Sequence, residues 1–169
     1  MVGQNITVRL FHEDEWNALK AIRLEGLGIY PNMMGQPLAA AEAMTPEQWR
    51  KWINDPYRGY FGIYDEKTII GFYFVCMDTE NKNEAYLNGV YLKREYQRQG
   101  IDQLLLEKAL DWAKEKKCTS IQAGCKETNY AVKRLLEKHG GRFIRKSDQE
   151  DDYPDGSKGY GLLYKLDIT

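Results

Sequence analysis

The chain has 169 residues, the length of one domain, with 43% hydrophobic and 29% charged residues, an ordinary globular balance. Its formal net charge of −1 leaves no basic footprint for nucleic acid. No apolar run approaches the ~20 residues of a membrane span, and the first residues lack a basic stretch followed by an apolar one, so a cytoplasmic chain without membrane contact is expected.

In chain order, Thr7 to Phe11 alternates like a strand. Asp14 reads as the cap of a helix whose apolar face carries Trp16, Leu19, Ile22 and Leu24. Gly26 to Ala40, with glycine, proline and two adjacent methionines, reads as an irregular flap. Thr45-Pro46-Glu47-Gln48 is a capping box with proline at the first helical position, so a helix begins there and ends before Asp55-Pro56. Tyr60–Tyr64 and Ile69–Met77 read as a hairpin around Asp65-Glu66-Lys67, and Ala85–Leu92 as the next strand. From Ile101, apolar residues at 101, 104, 105, 109, 112 and 113 keep helical periodicity. Ser120–Cys125 reads as a buried strand, Asn129–His139 as a helix, Arg142–Arg145 as a short strand and Asp148–Ser157 as an acidic loop. An antiparallel meander followed by β-α-β-α-β predicts an α/β fold of the α+β type. Its core is a single mixed, mostly antiparallel sheet of about six to seven strands flanked by helices. No repeat or linker divides the chain, so residues 1–169 are expected to form one domain.

Cys76, Cys118 and Cys125 are odd in number, lack C-x-x-C spacing and fall in or beside strands, which predicts reduced, buried thiols. With only His12 and His139 available, neither a zinc site nor a cysteine–histidine nucleophile is expected.

The chemistry concentrates between residues 85 and 106. A strand passes through a polar turn to Gly100 and directly into a helix, which aims backbone N–H groups at the positive end of the helix dipole. That geometry suits a phosphate or pyrophosphate, with Gln97 and Arg98 as added donors. The chain holds no G-x-x-x-x-G-K-[ST], and no G-x-G-x-x-G follows a strand, so neither a P-loop nor a dinucleotide fold is expected.

Gln97-x-x-Gly100-x-Asp102 resembles motif A of the GNAT superfamily of N-acetyltransferases, [RQ]-x-x-G-x-[GA], which binds the pyrophosphate of acetyl-CoA. Thr68–Val75 looks like that family's third strand, and Tyr160–Leu166 like its last. Asn129–Gly141 is similar to its N-x-x-A-x-x-x-Y-E-K-x-G-F motif, in phase at Asn129, Glu137, Lys138 and Gly140. The opening strand and the helices to Arg50 complete the family's order, so the resemblance covers roughly the whole chain. It implies acetyl-CoA as co-substrate and no metal. It places the cofactor on Val90, Tyr91, Leu92, Gln97, Arg98, Gln99, Gly100, Ile101, Asp102, Gln103 and Asn129, in a groove between the 85–92 and 120–125 strands.

Acetyl transfer from a thioester to an amine needs a proton acceptor for the amine, a donor for the carbonyl oxygen and a proton for the leaving thiolate. The resemblance assigns the donor to main chain at Val90–Leu92. Three positions depart from the family. Asp102 stands where glycine or alanine is usual; it either complements the helix dipole or faces the pyrophosphate. Leu136 replaces the tyrosine that protonates the thiolate, and Asn88 stands where many members carry a carboxylate. Tyr130 and Tyr160 are candidate acids and Glu84 a candidate base acting through water, each with packing or surface solvation as the plainer reading. Asn129 also reads as the N-cap of its helix.

The leading expectation is an N-acetyltransferase acting by direct transfer on a primary amine of a small molecule or peptide. The alternative is a non-catalytic CoA sensor or interaction module on the same fold. A second copy of the chain is a candidate partner. Acidic residues in the loops (Glu42, Asp148, Glu150, Asp151, Asp152, Asp155) point to a cationic acceptor, or simply to solvated surface.

Overall fold

The structure, a computed structural model, describes residues 5–31, 36–152 and 158–169. In chain order the elements are β1 (Ile6–Leu10), α1 (Trp16–Ile29), α2 (Leu38–Glu42), α3 (Pro46–Ile53), β2 (Arg58–Asp65), β3 (Thr68–Met77) and β4 (Glu84–Leu92). There follow α4 (Ile101–Glu115), β5 (Ser120–Lys126), α5 (Tyr130–Lys138), β6 (Arg142–Lys146), β7 (Asp151–Asp152), β8 (Lys158–Gly159) and β9 (Gly161–Asp167). Seven strands form one mixed sheet in the order β1-β2-β3-β4-β5-β9-β6, and β7 pairs with β8 apart from it. The β4–β5 pair is parallel; β1–β2, β2–β3, β5–β9 and β6–β9 are antiparallel. The expected fold class is the observed one. No helix among the described residues is long and apolar enough to cross a membrane.

The chain divides into two compact units, residues 1–76 with 88–108 and residues 77–87 with 109–169. In the first, α1 buries Leu19, Ile22, Arg23, Gly26 and Leu27, and runs three residues past Gly26. This corrects the flap expected from Gly26 onward. Full burial of Leu27 outweighs the ~1 kcal/mol that each helical glycine costs. Part of that flap is instead α2, and residues 32–35 lie outside the described residues. The expected helix start at Asp14 is a 3-10 turn, Glu13–Glu15, closed by a His12–Glu15 capping box. The Thr45 box forms as its residues require, with Thr45 Oγ1 accepting from Gln48 N and Gln48 Oε1 accepting from Thr45 N. It sets Trp49 into the core beside Phe11, Tyr60, Phe72 and Tyr91. Gly71 brings β3 against β4 so closely that a Cβ there would stand 2.4 Å from the Tyr91 carbonyl oxygen.

In the second unit, Ile121 and Ala123 of β5 are buried, as are Tyr164 and Leu166 of β9. All five residues of β6 are exposed. The acidic segment expected as a loop, Asp148–Ser157, contains β7, paired to β8 through Asp151↔Gly159 and Asp152↔Lys158. Residues 153–157, including Asp155, are outside the described residues. The three cysteines are free; Cys118 is buried as expected, whereas Cys76 and Cys125, near the ends of their strands, are only partly covered, and burial pushes the Cys118 and Cys125 thiols up.

Candidate active site

The first half of β4 is an ordinary parallel partner for β5, but the ladder covers only Glu84–Tyr86 against Ser120–Gln122. Beyond it the strand bends, because Gly89 adopts φ +63°, where a side chain is strained, and a Cβ would lie 2.6 Å from the Phe74 ring. A glycine inside a strand pattern signals such a bend; the sequence reading passed over it. After the bend, Val90 and Leu92 are partly buried and Tyr91 is buried, its hydroxyl donating to Glu25 Oε1 at 2.9 Å. Burial, then Glu25, holds the Tyr91 phenol well above the ordinary tyrosine value. Asn88 Nδ2 donates to Cys76 Sγ at 3.5 Å, so its amide turns toward β3.

Past β4, a 3-10 turn at Arg94–Tyr96 leads to the mouth of α4. Gln97 Nε2 donates to the Leu92 carbonyl at 2.9 Å and approaches Tyr30 Oη at 3.5 Å, while Gln99 Nε2 donates to the Glu95 carbonyl at 2.7 Å. Both amides therefore brace the turn, and Gln97 spends its donors on it rather than offering them outward as expected. Arg98 and Gly100 both sit in left-handed backbone, at φ +61° and +79°. Successive N–H groups on such a path converge on one concave face, an anion cradle at the helix dipole's positive end. Among the described residues the N–H groups of Arg98, Gln99 and Gly100 have no backbone partner. Ile101, 1% exposed, pins the first turn of α4 to the core. Asp102 is partly buried, and that burial pushes its carboxyl up; Gln103 reaches along the helix to Glu107. These residues fit a pyrophosphate, with Asp102 the dissonant member.

The remaining candidates lie in the second unit. Asn129 is the N-cap of α5, its Oδ1 accepting from Val132 N at 3.2 Å. Tyr130 is exposed, and Tyr160 is tied to Glu127 through both backbone groups, with Lys146 Nζ over its ring at 4.2 Å. These three share the corner where β5 ends, since Lys126 faces Gly161 in the β5–β9 register. Glu84 sits at the other end of β5, opposite Ser120. Six residues of strand, roughly 20 Å, separate the two ends. Glu84 is buried rather than an exposed turn residue, and its carboxylate contacts Lys165 Nζ at 2.7 Å, Gln122 Nε2 at 2.9 Å and Ser120 Oγ at 3.3 Å. Those donors, Lys165 foremost, hold it below the usual carboxylate range. A carboxylate held so is a weak proton acceptor. Leu136, 2% exposed, is core.

One further group escaped the sequence reading because its members are scattered. Arg23 is 4% exposed, and among the described residues its Nη1 has no hydrogen-bond partner. Among the described residues no group of three or more His, Cys, Asp or Glu is placed to hold a metal ion.

A mixed sheet whose fourth strand carries a left-handed glycine and leads through a left-handed turn to a helix mouth has counterparts among known proteins. The acetyltransferase (GNAT) family profile matches residues 19–141, and the chain belongs to that family of acetyl-CoA-dependent N-acetyltransferases. No curated protein sequence matches it significantly. Among solved structures, it is similar to spermidine N-acetyltransferase from Vibrio cholerae, a dodecamer, at 17% identity and TM-score 0.74 over 98% of this chain and 95% of that one. Ribosomal-protein-S5-alanine acetyltransferase from Vibrio fischeri matches at 18% identity and TM-score 0.73 over 99% and 96%. A Salmonella typhimurium protein assigned as an acetyltransferase, solved with its cofactor acetyl-CoA, matches at 13% identity and TM-score 0.69 over 98% and 95%. At these identities the likeness shows the fold.

Proposed function

We propose that this chain works as a single cytoplasmic acyltransferase domain that moves an acetyl group from acetyl-CoA directly to a primary amine of a small molecule or peptide. The observation that carries this reading is the pair of left-handed residues, Arg98 and Gly100, whose turn presents N–H groups without a backbone partner among the described residues at the mouth of α4. Val90 to Gln103 hold the cofactor in this reading, chiefly through main chain. The family profile runs through both compact units, which supports one working domain. Three free thiols suit a reducing compartment.

Bound acetyl-CoA supplies an acetyl thioester: the amine nitrogen forms the new C–N bond as C–S breaks, the electron pair leaves on sulfur, and the proton the amine loses balances the one sulfur takes up. The chain's part is to donate main-chain N–H groups from Val90–Leu92 to the carbonyl oxygen, where charge grows, and to hold the cofactor still. Leu136 has no proton to give, Asn88 cannot accept one, and Glu84 is locked to Lys165. The amine therefore enters already deprotonated, and the rate is expected to climb toward alkaline pH without a plateau near neutrality.

The buried Leu136 and the amide at Asn88 favour the second reading, a CoA-binding sensor without turnover. Thiol release from acetyl-CoA across a panel of amines, with acetylated product read by mass, separates the two. Release above background with some amine is expected; CoA binding with no release from any amine establishes the sensor.

A further inference from the structure

Arg23 lies on α1 with its guanidinium out of water. Its Nε donates to Gln36 Oε1 at 3.2 Å, and its guanidinium carbon stands 5.0 Å from the Trp52 ring centroid and 5.8 Å from that of Phe72. Nη1 is buried and unpartnered, and no carboxylate among the described residues pairs with the group. An ionised side chain removed from water normally meets an opposite charge or a full set of acceptors. Arg23 has aromatic faces and one neutral amide oxygen. The cation–π contacts explain why it can sit there, since they offset part of the desolvation. They do not use its Nη1 hydrogens, which need an acceptor in the plane of the guanidinium.

The surroundings extend the argument. Trp52 stacks on Tyr60 at 5.6 Å, and Tyr60 stacks on Phe74 at 5.4 Å. Phe74 is the ring that lies under Gly89, the bend of β4. A continuous aromatic floor thus runs from Arg23 to the strand segment assigned to acetyl transfer. A second cation stands along it: Arg58 Nη1 donates to Tyr60 Oη at 3.4 Å. Arg58 also lies 3.6 Å from Asp55, so it is paired where Arg23 is not. Gln36 Oε1 occupies one edge of the Arg23 fork, and its Nε2 donates to Met44 Sδ at 3.3 Å. That amide is a neutral stand-in at the place where a carboxylate oxygen would sit, held by a weak sulfur acceptor. Replacing it by a charged oxygen exchanges a neutral hydrogen bond for a charge-assisted one.

We infer that the acceptor amine carries a carboxylate, as an amino acid or a peptide C-terminus does, and that Arg23 binds that carboxylate, displacing Gln36, while the amine reaches β4 across the floor of Trp52, Tyr60 and Phe74. Guanidinium geometry suits carboxylate forks and favours such a group over a neutral one. This deepens the acetyltransferase reading and rests on it. It runs against the cationic acceptor that the acidic loop residues suggested, because the charge nearest the floor is positive.

The test uses the whole chain with acetyl-CoA and L-amino acids and short peptides, each beside its own C-terminal amide. Thiol release and product mass are read at sub-saturating acceptor, and rates are compared per concentration of free amine, because the amide lowers the pKa of the neighbouring ammonium group. At least one acid is expected to react ~10-fold or more faster than its amide, the scale of a charge-assisted hydrogen bond. Arg23→Gln is expected to bring acid and amide to parity while leaving CoA affinity unchanged by calorimetry. Because a buried substitution can compromise folding, propionate is also titrated against the wild-type reaction, and it is expected to compete with the acid acceptor but not with acetyl-CoA. Amides reacting as fast as acids, or an acid preference that survives in a folded Arg23→Gln, overturns the inference while leaving the acetyltransferase reading intact. If no amine releases thiol, calorimetric binding of the same acids to the CoA complex decides. Arg23-dependent binding of acids over amides upholds carboxylate recognition as it removes the transfer reading, and absence of that binding removes both.

Discussion

Two regions of the first unit solve the problem of holding charge in opposite ways. The mouth of α4 uses backbone: left-handed Arg98 and Gly100 aim N–H groups, and the side chains of Gln97 and Gln99 are spent bracing the turn. The Arg23 region uses side chains: a buried guanidinium on aromatic faces, with one amide as its polar neighbour. A backbone site tolerates change in the side chains around it but not in the residues that let the chain bend or approach. A side-chain site depends on the volume and placement of each ring.

Adjacent residues of β3 put that contrast to the test. Phe72 is fully buried against Arg23 and Tyr91. Phe72→Ala is expected to cost ~3–5 kcal/mol of unfolding free energy in urea, because a ring-sized cavity opens beneath a buried cation. Gly71 faces the backbone of β4 instead. Its added Cβ would meet the Tyr91 carbonyl at 2.4 Å and Leu92 Cα at 3.1 Å, and main chain cannot swing aside. Gly71→Ala is expected to cost ~1–3 kcal/mol and to weaken CoA binding as well, since β4 must shift. If both variants lost stability with CoA affinity untouched, the two regions would not differ in the way described.

Charge tests follow, with smaller effects. Glu15 accepts a bidentate bond from Arg9, at 2.7 and 2.9 Å, and this, together with the His12 amide, holds its carboxyl at about 2. A lowered folded value means the stabilisation is present above the unfolded carboxyl value of about 4 and is lost as pH falls toward 2. Because Arg9 is 40% exposed and solvent screens the pair, Glu15→Gln is expected to cost only about 1 kcal/mol at pH 7. The difference from wild type should shrink as pH falls through about 2 and vanish below it in an acid titration followed by circular dichroism. Asp102 has the reverse sign: burial raises its folded value, so its charge opposes folding at neutral pH, against the favourable helix dipole. Asp102→Asn is expected to raise stability by less than ~1 kcal/mol at pH 7 and by nothing below the unfolded carboxyl value. If Asp102 faces the pyrophosphate, the same variant also tightens CoA binding at low salt.

The contrast also explains what could be read from sequence. Gly100 and the Thr45 capping box encode structure within a few consecutive residues, so their turn chemistry is legible without tertiary knowledge. A single mixed sheet of about six to seven strands follows from alternation and family resemblance, though its strand order does not, and Leu136 is legible as a missing acid; its burial adds that the position is core. Arg23, Gln36, Trp52, Tyr60 and Phe72 meet only after folding, and no spacing among them carries a period. Local propensity at Gly26 carries no trace of the burial of Leu27 that keeps the helix going, and the partners that bury and hold Glu84, Gln122 and Lys165, lie far along the chain.

The central claim is that backbone at the mouth of α4 holds the cofactor, and calorimetric titration of CoA into Gly100→Trp tests it most directly. With the fold confirmed by circular dichroism, the variant is expected to bind CoA at least ~10-fold more weakly than wild type, because the bulky side chain fills the cradle and resists φ +79°. Wild-type affinity in a folded Gly100→Trp would contradict the account and place the cofactor elsewhere.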